Sequence, residues 1–198
     1  MKDIFVDNKL VVASHNQGKI KEFKKILSPF NIEVLSAIDI DLPDVEETGT
    51  TFIENALLKA KESAIHCGLT VIADDSGLCV NMLDGRPGVY SARYAPNRDF
   101  DKGMDKLINE MTENGSDDWS AYFTCTLALV TPDGKEHIYE GKIDGTIITE
   151  KKGGGFGFDP IFVPNGYEKT FGELSGEEKN EISHRGLALE KFVNDVFK

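Results

Sequence analysis

Two acidic pairs in the sequence have the chemistry to bind a metal ion together with a phosphorylated ligand. Glu46-Glu47 stand before Thr48-Gly49, and Asp74-Asp75 follow the apolar run 70–73. Magnesium is held by one or two carboxylates, with phosphate oxygens of the substrate completing its octahedron. Asp74-Asp75 is the stronger pair, because α/β folds bind ligands at the carboxyl ends of their strands. Solvated surface is the alternative for each pair.

A polar segment between a predicted strand and a predicted helix is a candidate phosphate cradle. Backbone N–H groups at the start of a helix attract anions, and a lysine adds a full positive charge. The segment does not match the P-loop spacing, so a plain turn with a surface lysine is the alternative. It consists of Ser14, His15, Asn16, Gln17, Gly18 and Lys19.

A glycine-rich loop over residues 153–160 has the composition of a site for a flat ligand. Glycines let the backbone approach such a ligand closely, and Phe156 and Phe158 have rings that can stack on a base. Asp159 supplies a hydrogen-bond acceptor. A hairpin loop whose phenylalanines face the core is the alternative explanation.

Hydrogen-bond donors cluster near the last predicted helix of an otherwise acidic chain. Lys179 and the run Ser183-His184-Arg185 supply them. Charge on the surface of a helix is the alternative.

The first half of the chain alternates strands and helices that would position these residues. Strands are predicted at 10–14, 32–36 and 70–73 from their apolar runs. Apolar residues at helical spacing predict a helix that ends before Ser28-Pro29. A second helix begins at the capping box Thr51–Glu54 and continues until Gly68. The strand at 70–73 should end where Asp74-Asp75 begin.

The second half combines a hairpin with further helices. Met104, Leu107, Ile108 and Met111 mark a helix, and residues 119–130 alternate with the period of a strand. A turn at 131–134 leads into extended structure at 137–139, and Ser183 caps the final helix. These patterns predict an α/β fold in which helices flank a mixed sheet.

Length and composition bound the class of protein. The 198 residues suit one domain, 1–198, and 40% hydrophobic residues with 19 glycines exclude intrinsic disorder. Lys plus Arg at 22 against Asp plus Glu at 34 gives a net charge of −12, which argues against binding to nucleic acid or to an anionic bilayer. The N-terminus has no signal-peptide pattern and no apolar run is long enough for a membrane helix, so we expect a cytoplasmic protein.

The cysteines indicate neither a disulfide framework nor a zinc site. Cys67, Cys79 and Cys125 are an odd, widely spaced set without a Cys-x-x-Cys motif. We expect all three to be small buried side chains.

Four motifs in order make the chain resemble the inosine triphosphate pyrophosphatase family, which hydrolyses nonstandard purine nucleoside triphosphates. The resemblance runs from about Leu10 to Phe192. The motifs are Ser14-x-Asn16-x-x-Lys19; Glu46-Glu47-Thr48-Gly49 with Phe52-Ile-Glu-Asn55; Ala73-Asp-Asp-Ser-Gly77 with Pro87-Gly88 and Tyr90-Ser-Ala-Arg93; and Gly155-Phe-Gly-Phe-Asp-Pro160 with Ser183-His-Arg-Gly186.

The resemblance implies a two-lobed α/β protein, usually a homodimer, with a substrate cleft between the lobes. There a nucleoside triphosphate with Mg²⁺ would be cleaved to the monophosphate and pyrophosphate. It implies that Asp75 is the catalytic base and a metal ligand and that Glu47 is the other metal carboxylate, with Asp74 and Glu46 as neighbours. The implied substrate-binding residues are Ser14, His15, Asn16, Gln17, Gly18, Lys19 and Ser76 near the phosphates, and Phe156, Gly157, Phe158, Asp159, Lys179, His184 and Arg185 around the base and sugar.

This interpretation fits the chemistry of purines. Hypoxanthine and xanthine carry an acceptor at the 6-position where adenine carries a donor, so donors such as His184 and Arg185 would be mismatched against adenine. Two other functions remain open: a regulatory module that senses a purine nucleotide without turnover, and a pyrophosphohydrolase for pyrimidine or modified nucleotides.

Overall fold

The computed structural model describes residues 4–198. Among these residues, the strands are β1 (Lys9–Val12), β2 (Glu33–Ser36), β3 (Val71–Val80), β4 (Ser120–Val130), β5 (Glu136–Ile147) and β6 (Phe162–Pro164). The α-helices are α1 (Gln17–Leu27), α2 (Phe52–Cys67), α3 (Phe100–Asn114), α4 (Gly176–Ile182) and α5 (His184–Phe197).

The strands form one mixed sheet in the order β2-β1-β3-β4-β5-β6. Strand β1 is parallel to both β2 and β3, with Val11 opposite Leu35 and Val71. Strand β5 is antiparallel to β6, with Thr146 opposite Val163. The predicted α/β fold with a mixed sheet is confirmed.

The chain divides into two compact units. Unit 1 comprises the described part of Met1–Asp75 together with Thr126–Tyr139 and Leu189–Lys198, and unit 2 comprises Ser76–Cys125 and Glu140–Ala188. Strand β3 leaves unit 1 after Asp75, so its next residue, Ser76, is the first residue of unit 2.

Small side chains build the part of the unit 1 core in which α2 packs against β3. Ala56, Ala60 and Ala64 form one buried face of α2 and pack in a cluster with Val71 and Ala73 of β3. Alanine adds little bulk beyond the backbone, so this face brings α2 close to the sheet. The polar residues of α2 are thereby held near β3.

Aromatic side chains build much of the core of unit 2. Phe123 packs edge-on against Phe162, with ring centroids 4.8 Å apart, and stacks on Phe171 at 5.8 Å. Phe158 belongs to the same core and is 2% exposed. Large rigid rings fix their neighbours through many contacts, which gives the unit a rigid interior.

The capping signals in the sequence predict two helices correctly. Thr51 and Glu54 form the predicted capping box of α2, and Gly68 ends that helix in the left-handed conformation. The Ser183 side chain accepts a hydrogen bond from the Gly186 N–H at 3.1 Å, as a cap of α5 should.

The predicted end of strand β3 at residue 73 is wrong. The strand continues through Asp74 and Asp75 as far as Val80, because Leu78, Cys79 and Val80 are themselves buried apolar residues that extend it. The two aspartates therefore lie in the middle of a strand. They do not lie at its carboxyl end, where they were expected.

Other expectations are met only in part. Cys79 and Cys125 are buried as predicted, whereas Cys67 is only partly buried. The alternation predicted for β4 holds as far as Cys125, beyond which both faces of the strand are buried. Within residues 4–198, no helix combines the length and apolar character needed to span a bilayer.

Candidate active site

The predicted phosphate cradle forms the junction between β1 and α1 in unit 1. Asn16 is the N-cap of α1, and its side-chain oxygen accepts hydrogen bonds from the N–H groups of Gly18 at 2.9 Å and Lys19 at 3.2 Å. The Ser14 hydroxyl oxygen accepts a further hydrogen bond from the Asn16 N–H at 3.1 Å. The segment thus caps its own helix, and an anion at this end of α1 would share these N–H groups with Asn16.

Two other members of the cradle point outward. Gln17 opens α1 and is exposed. The Nδ1 atom of His15 lies 2.8 Å from the carboxylate of Asp44, whose side chain is 92% exposed. The substrate contacts predicted for His15 and Gln17 stay predictions, because both side chains lie at the surface.

Lys19 connects the cradle to strand β3. Its Nζ donates to both carboxylate oxygens of Asp74, at 2.9 and 2.7 Å. The Asp74 side chain is 3% exposed and that of Lys19 is 21% exposed. A nearly buried carboxylate therefore fixes the position of this lysine, and part of the ammonium group still faces solvent.

Asp75 faces helix α2. Its carboxylate accepts a hydrogen bond at 3.0 Å from the side-chain amide of Asn55, which is completely buried. Successive side chains of a strand point to opposite faces, so Asp74 pairs with α1 while Asp75 pairs with α2. We call Glu47, Asp74 and Asp75, with Lys19 and Lys59, the acidic group.

Lys59 is a member of this group that the sequence analysis did not identify. From α2, its Nζ donates to the Glu47 carboxylate at 2.5 Å and to the Asp74 carbonyl at 2.7 Å. The available signal was spacing: Asn55 and Lys59 are four residues apart beside the buried Ala56 and Ala60, so they share the face of α2 that contacts the sheet.

Burial and charge perturb the acid–base properties of this group. Burial raises the pKa of Asp75 to about 6, and the charges of Glu47 and Asp74 add to that rise, against the opposing effect of Lys59 and Asn55. Burial alone would lower the pKa of Lys59, but the charges of Asp74, Asp75 and Glu47 raise it above its usual value. Asp75 therefore has a pKa suited to accepting a proton near neutral pH.

The acidic group also has the chemistry to hold Mg²⁺. Among residues 4–198, no three His, Cys, Asp or Glu side chains are arranged to hold a metal ion by themselves. Magnesium bound with a phosphate substrate needs only one or two carboxylates, and Glu47 and Asp75 supply hard oxygen donors of that kind. Like charges already raise the pKa of Asp75, and a bound cation would relieve that repulsion. The donor set fits the ion.

Unit 2 contains a pocket lined by every predicted site residue from Ser76 onward. Its empty volume is about 460 Å³, which includes solvent at its open side. The predicted residues in its lining are Ser76, Phe156, Gly157, Phe158, Asp159, Lys179, His184 and Arg185. Phe100 and Phe123 also line it and were not predicted as site residues.

The two phenylalanines of the glycine-rich loop have different surroundings. The Phe156 side chain is 59% exposed, whereas Phe158 is 2% exposed and belongs to the core. The hypothesis that both rings can stack on a base is therefore supported only for Phe156. Phe158 fits the alternative interpretation, a core-facing phenylalanine of the loop.

Two charged side chains in the lining of the pocket are paired with each other. Lys179 of α4 donates to the Asp159 carboxylate at 2.5 Å, and the same carboxylate accepts a hydrogen bond from the Phe156 N–H at 2.9 Å. Asp159 is 3% exposed, so it fixes both the lysine and the loop that carries Phe156.

The donors at the start of α5 reach the same pocket. The His184 ring is stacked on Phe123, with centroids 4.9 Å apart and an interplanar angle of 11°. One terminal nitrogen of Arg185 donates to the Ser76 hydroxyl at 3.3 Å. The pocket thus combines an exposed aromatic ring with donors from α4 and α5.

Comparison with known proteins covers almost the whole chain. The model of the Ham1 family matches residues 10–195. A dITP/XTP pyrophosphatase of Gluconobacter oxydans is 45% identical over 98% of this chain and 93% of its own length. A dITP/XTP pyrophosphatase of Oceanobacillus iheyensis is 46% identical over 95% of this chain and 99% of its own.

Solved structures show the same fold. The Ham1 protein of Coxiella burnetii has a TM-score of 0.92 at 38% identity, covering 95% of this chain and 98% of its own. The Ham1 protein of Staphylococcus aureus has a TM-score of 0.88 at 42% identity, covering 95% and 97%.

Proposed function

Because the chain belongs to the Ham1 family, we propose that it hydrolyses the nonstandard purine nucleoside triphosphates dITP, ITP and XTP to the monophosphate and pyrophosphate. The reaction removes these nucleotides from the pool available for nucleic acid synthesis. Relatives named dITP/XTP pyrophosphatase match nearly the full chain, so the assignment concerns nearly all of its residues.

One observation carries the proposal: consecutive residues of β3 belong to the two groups of side chains that such a reaction needs. Asp75 belongs to the acidic group, which has the chemistry for a triphosphate and a metal ion. Ser76 lines the pocket, which has the chemistry for a purine. Adjacent α-carbons are about 3.8 Å apart, so a residue of the acidic group and a residue of the pocket lining are neighbours in β3.

Asp75 is the proposed general base. In the metal-free site its pKa is about 6, so it is largely ionised at neutral pH, and its carboxylate can accept a proton from water. The water oxygen bonds to the α-phosphorus while the bond from that phosphorus to the bridging oxygen breaks. Pyrophosphate then leaves with that oxygen.

Lys19 and Lys59 are the proposed phosphate ligands. Both are held in the acidic group by carboxylates or a carbonyl, so their charges are positioned before the substrate arrives. Mg²⁺, held by Glu47 and Asp75, would supply further charge neutralisation and polarise the phosphate oxygens. A protein of net charge −12 needs such local positive charge to receive a triphosphate.

Purine selectivity is assigned to the pocket. Phe156 offers an exposed face for stacking, and His184 and Arg185 are the donors proposed for the acceptor at the purine 6-position. Adenine carries a donor at that position, so it would leave buried donors unpaired.

The assembly and location are also proposed. The family resemblance supports a homodimer, which sedimentation of the purified protein will detect at twice the monomer mass of 21.9 kDa. The triphosphate substrate supports action in the cytoplasm, where nucleotides are made and used.

A substrate panel tests the function. Pyrophosphate release is measured with dITP, ITP, XTP, ATP, GTP and dTTP, with Mg²⁺ and with EDTA. We expect kcat/KM for the first three to exceed that for ATP by at least about 10-fold, and EDTA to abolish turnover. Tight binding of ITP without any release would identify a sensor, and preference for dTTP would identify a pyrimidine enzyme.

A further inference from the structure

Phe100, the first residue of α3, makes a ring contact with the only exposed phenylalanine of the pocket. Its ring lies edge-on to Phe156, with centroids 4.9 Å apart and an interplanar angle of 62°. It is also edge-on to the buried Phe158, at 6.0 Å and 83°. No motif in the sequence includes it. We propose that Phe100 is a positioning residue that holds the Phe156 ring in place for stacking on the purine.

The backbone around Phe156 explains why its ring needs such support. Gly155 and Gly157 flank it with positive φ angles of 100° and 67° and carry no side chains to pack against the ring. Within residues 4–198, Phe100 is the one aromatic side chain paired with it. A hypothetical Cβ at Gly157 would lie 3.7 Å from the Phe100 ring, so the loop backbone also passes close to Phe100.

Phe100 is anchored more firmly than the ring it contacts. Asp99 caps α3 by accepting a hydrogen bond from the Lys102 N–H at 3.1 Å. Lys151, just before the glycine-rich loop, donates to the Asp101 carboxylate at 2.7 Å and lies 2.6 Å from that of Asp105. The first turns of α3 and the start of the loop are therefore tied together, and the Phe100 side chain is packed against the core of unit 2.

This arrangement lowers the entropic penalty of stacking. An exposed side chain that is ordered only on binding loses rotamer freedom at that moment, whereas a preordered ring does not. The proposal rests on the proposed function, because it assigns Phe156 to the purine. An aromatic pair of this kind corresponds to about a 2- to 10-fold effect on affinity.

A double-mutant cycle tests the proposal. Phe100→Leu, Phe156→Ala and the double variant are compared with wild type for the Kd of inosine monophosphate by calorimetry and for the KM and kcat of ITP. We expect Phe100→Leu to raise Kd and KM by about 2- to 10-fold with little change in kcat, and to have no added effect once Phe156 is alanine. Phe100→Tyr, which keeps the ring, should behave like wild type.

Ile108→Ala provides the matched control. Ile108 lies on the same helix and packs against the same core, but it does not line the pocket. This variant should lose stability without a change in Kd.

Three results would overturn the proposal: an unchanged Kd in Phe100→Leu, the same loss in the Phe156→Ala background, or no binding of inosine monophosphate to the wild type. If wild type binds the monophosphate with the predicted coupling but releases no pyrophosphate from ITP, the proposed function fails and the role of Phe100 stands.

Discussion

The carboxyl group of Asp75 is held where burial opposes its charge. Its pKa is raised from 3.8 to about 6, so the folded chain binds a proton more tightly than the unfolded chain. The proton bound to Asp75 therefore stabilises the folded state. This stabilisation is complete below about pH 4 and is lost as the pH rises through 6. At neutral pH Asp75 is ionised, as a general base must be, and its buried charge therefore destabilises the metal-free protein.

Asp75→Asn should consequently stabilise the metal-free protein. Asparagine keeps an oxygen for the Asn55 hydrogen bond and removes the charge. We expect a gain of about 2–3 kcal/mol at pH 8 that disappears near pH 4, measured by urea unfolding in EDTA. Turnover of dITP should fall by about 10²–10⁴-fold in the same variant. Equal stability of the two proteins at pH 8 would contradict this account of Asp75.

Lys59 offers a second residue-scale prediction. Lys59→Met keeps the aliphatic chain but removes the charge that touches Glu47 and the Asp74 carbonyl. We expect KM for dITP to rise by at least about 10-fold, because one charge-assisted hydrogen bond to phosphate is worth about 1.5–3 kcal/mol. Lys61→Met is the matched control, since Lys61 lies on the same helix and pairs with Glu136 at the surface. Similar KM values for the two variants would exclude a phosphate role for Lys59.

A variant of Arg185 tests whether this side chain recognises the purine base. Arg185→Ala should lower kcat/KM for ITP by roughly 10- to 150-fold and change that for ATP little, since only the 6-oxo purine uses its hydrogen bond. The ATP value serves as the internal control in the same preparation. Equal losses for both nucleotides would mean that Arg185 binds phosphate or sugar, or supports the fold.

At the scale of elements, helix α2 connects folding to the site. Its capping box fixes where the helix begins, and Asn55 and Lys59 follow within its first eight residues. Thr51→Ala should lower the free energy of unfolding by about 1 kcal/mol, because Glu54 loses its N-cap partner. Glu62→Ala, at an exposed position of the same helix, is the control and should change it by less than about 0.5 kcal/mol. An unchanged urea midpoint in Thr51→Ala would show that the cap contributes nothing.

The same elements show which parts of the fold the sequence could predict. Helix α2 was predictable because a capping box, an apolar face and a terminal glycine all agree. Helix α4 has seven residues and none of them is buried, and β6 has three residues, so neither carries a periodic signal. The end of β3 was misjudged because Asp74-Asp75 resemble the polar end of a strand, although buried residues follow them.

The sequence predicts the site residues that are charged or are glycines within a motif. It does not predict the apolar residues that contribute only to the shape of the pocket. Asp75, Lys179 and the glycine-rich loop stand out by residue type. Phe100 and Phe123 line the pocket as ordinary apolar residues of a helix and a strand, so only the three-dimensional structure reveals them. Lys59 belongs to no motif that was identified in the sequence and is one of four Lys and Glu residues in α2.

The molecule as a whole is strongly acidic, and its proposed substrate, a nucleoside triphosphate, is also highly negative. The net charge of −12 opposes the approach of a triphosphate, so we propose that binding depends on Lys19, Lys59 and Mg²⁺. Family membership covers residues 10–195, which include both units. We propose that the chain as a whole cleaves a nonstandard purine triphosphate at its α-phosphorus.

Hydrolysis of dITP in ¹⁸O-labelled water with Mg²⁺ shows which phosphorus atom the water attacks. Phosphorus NMR and mass spectrometry identify the products and locate the label. We expect equal amounts of dIMP and pyrophosphate, with one ¹⁸O atom in dIMP and none in pyrophosphate, because water attacks the α-phosphorus. Label in the pyrophosphate would place the attack at the β-phosphorus, and dIDP with orthophosphate as the first products would contradict the account altogether.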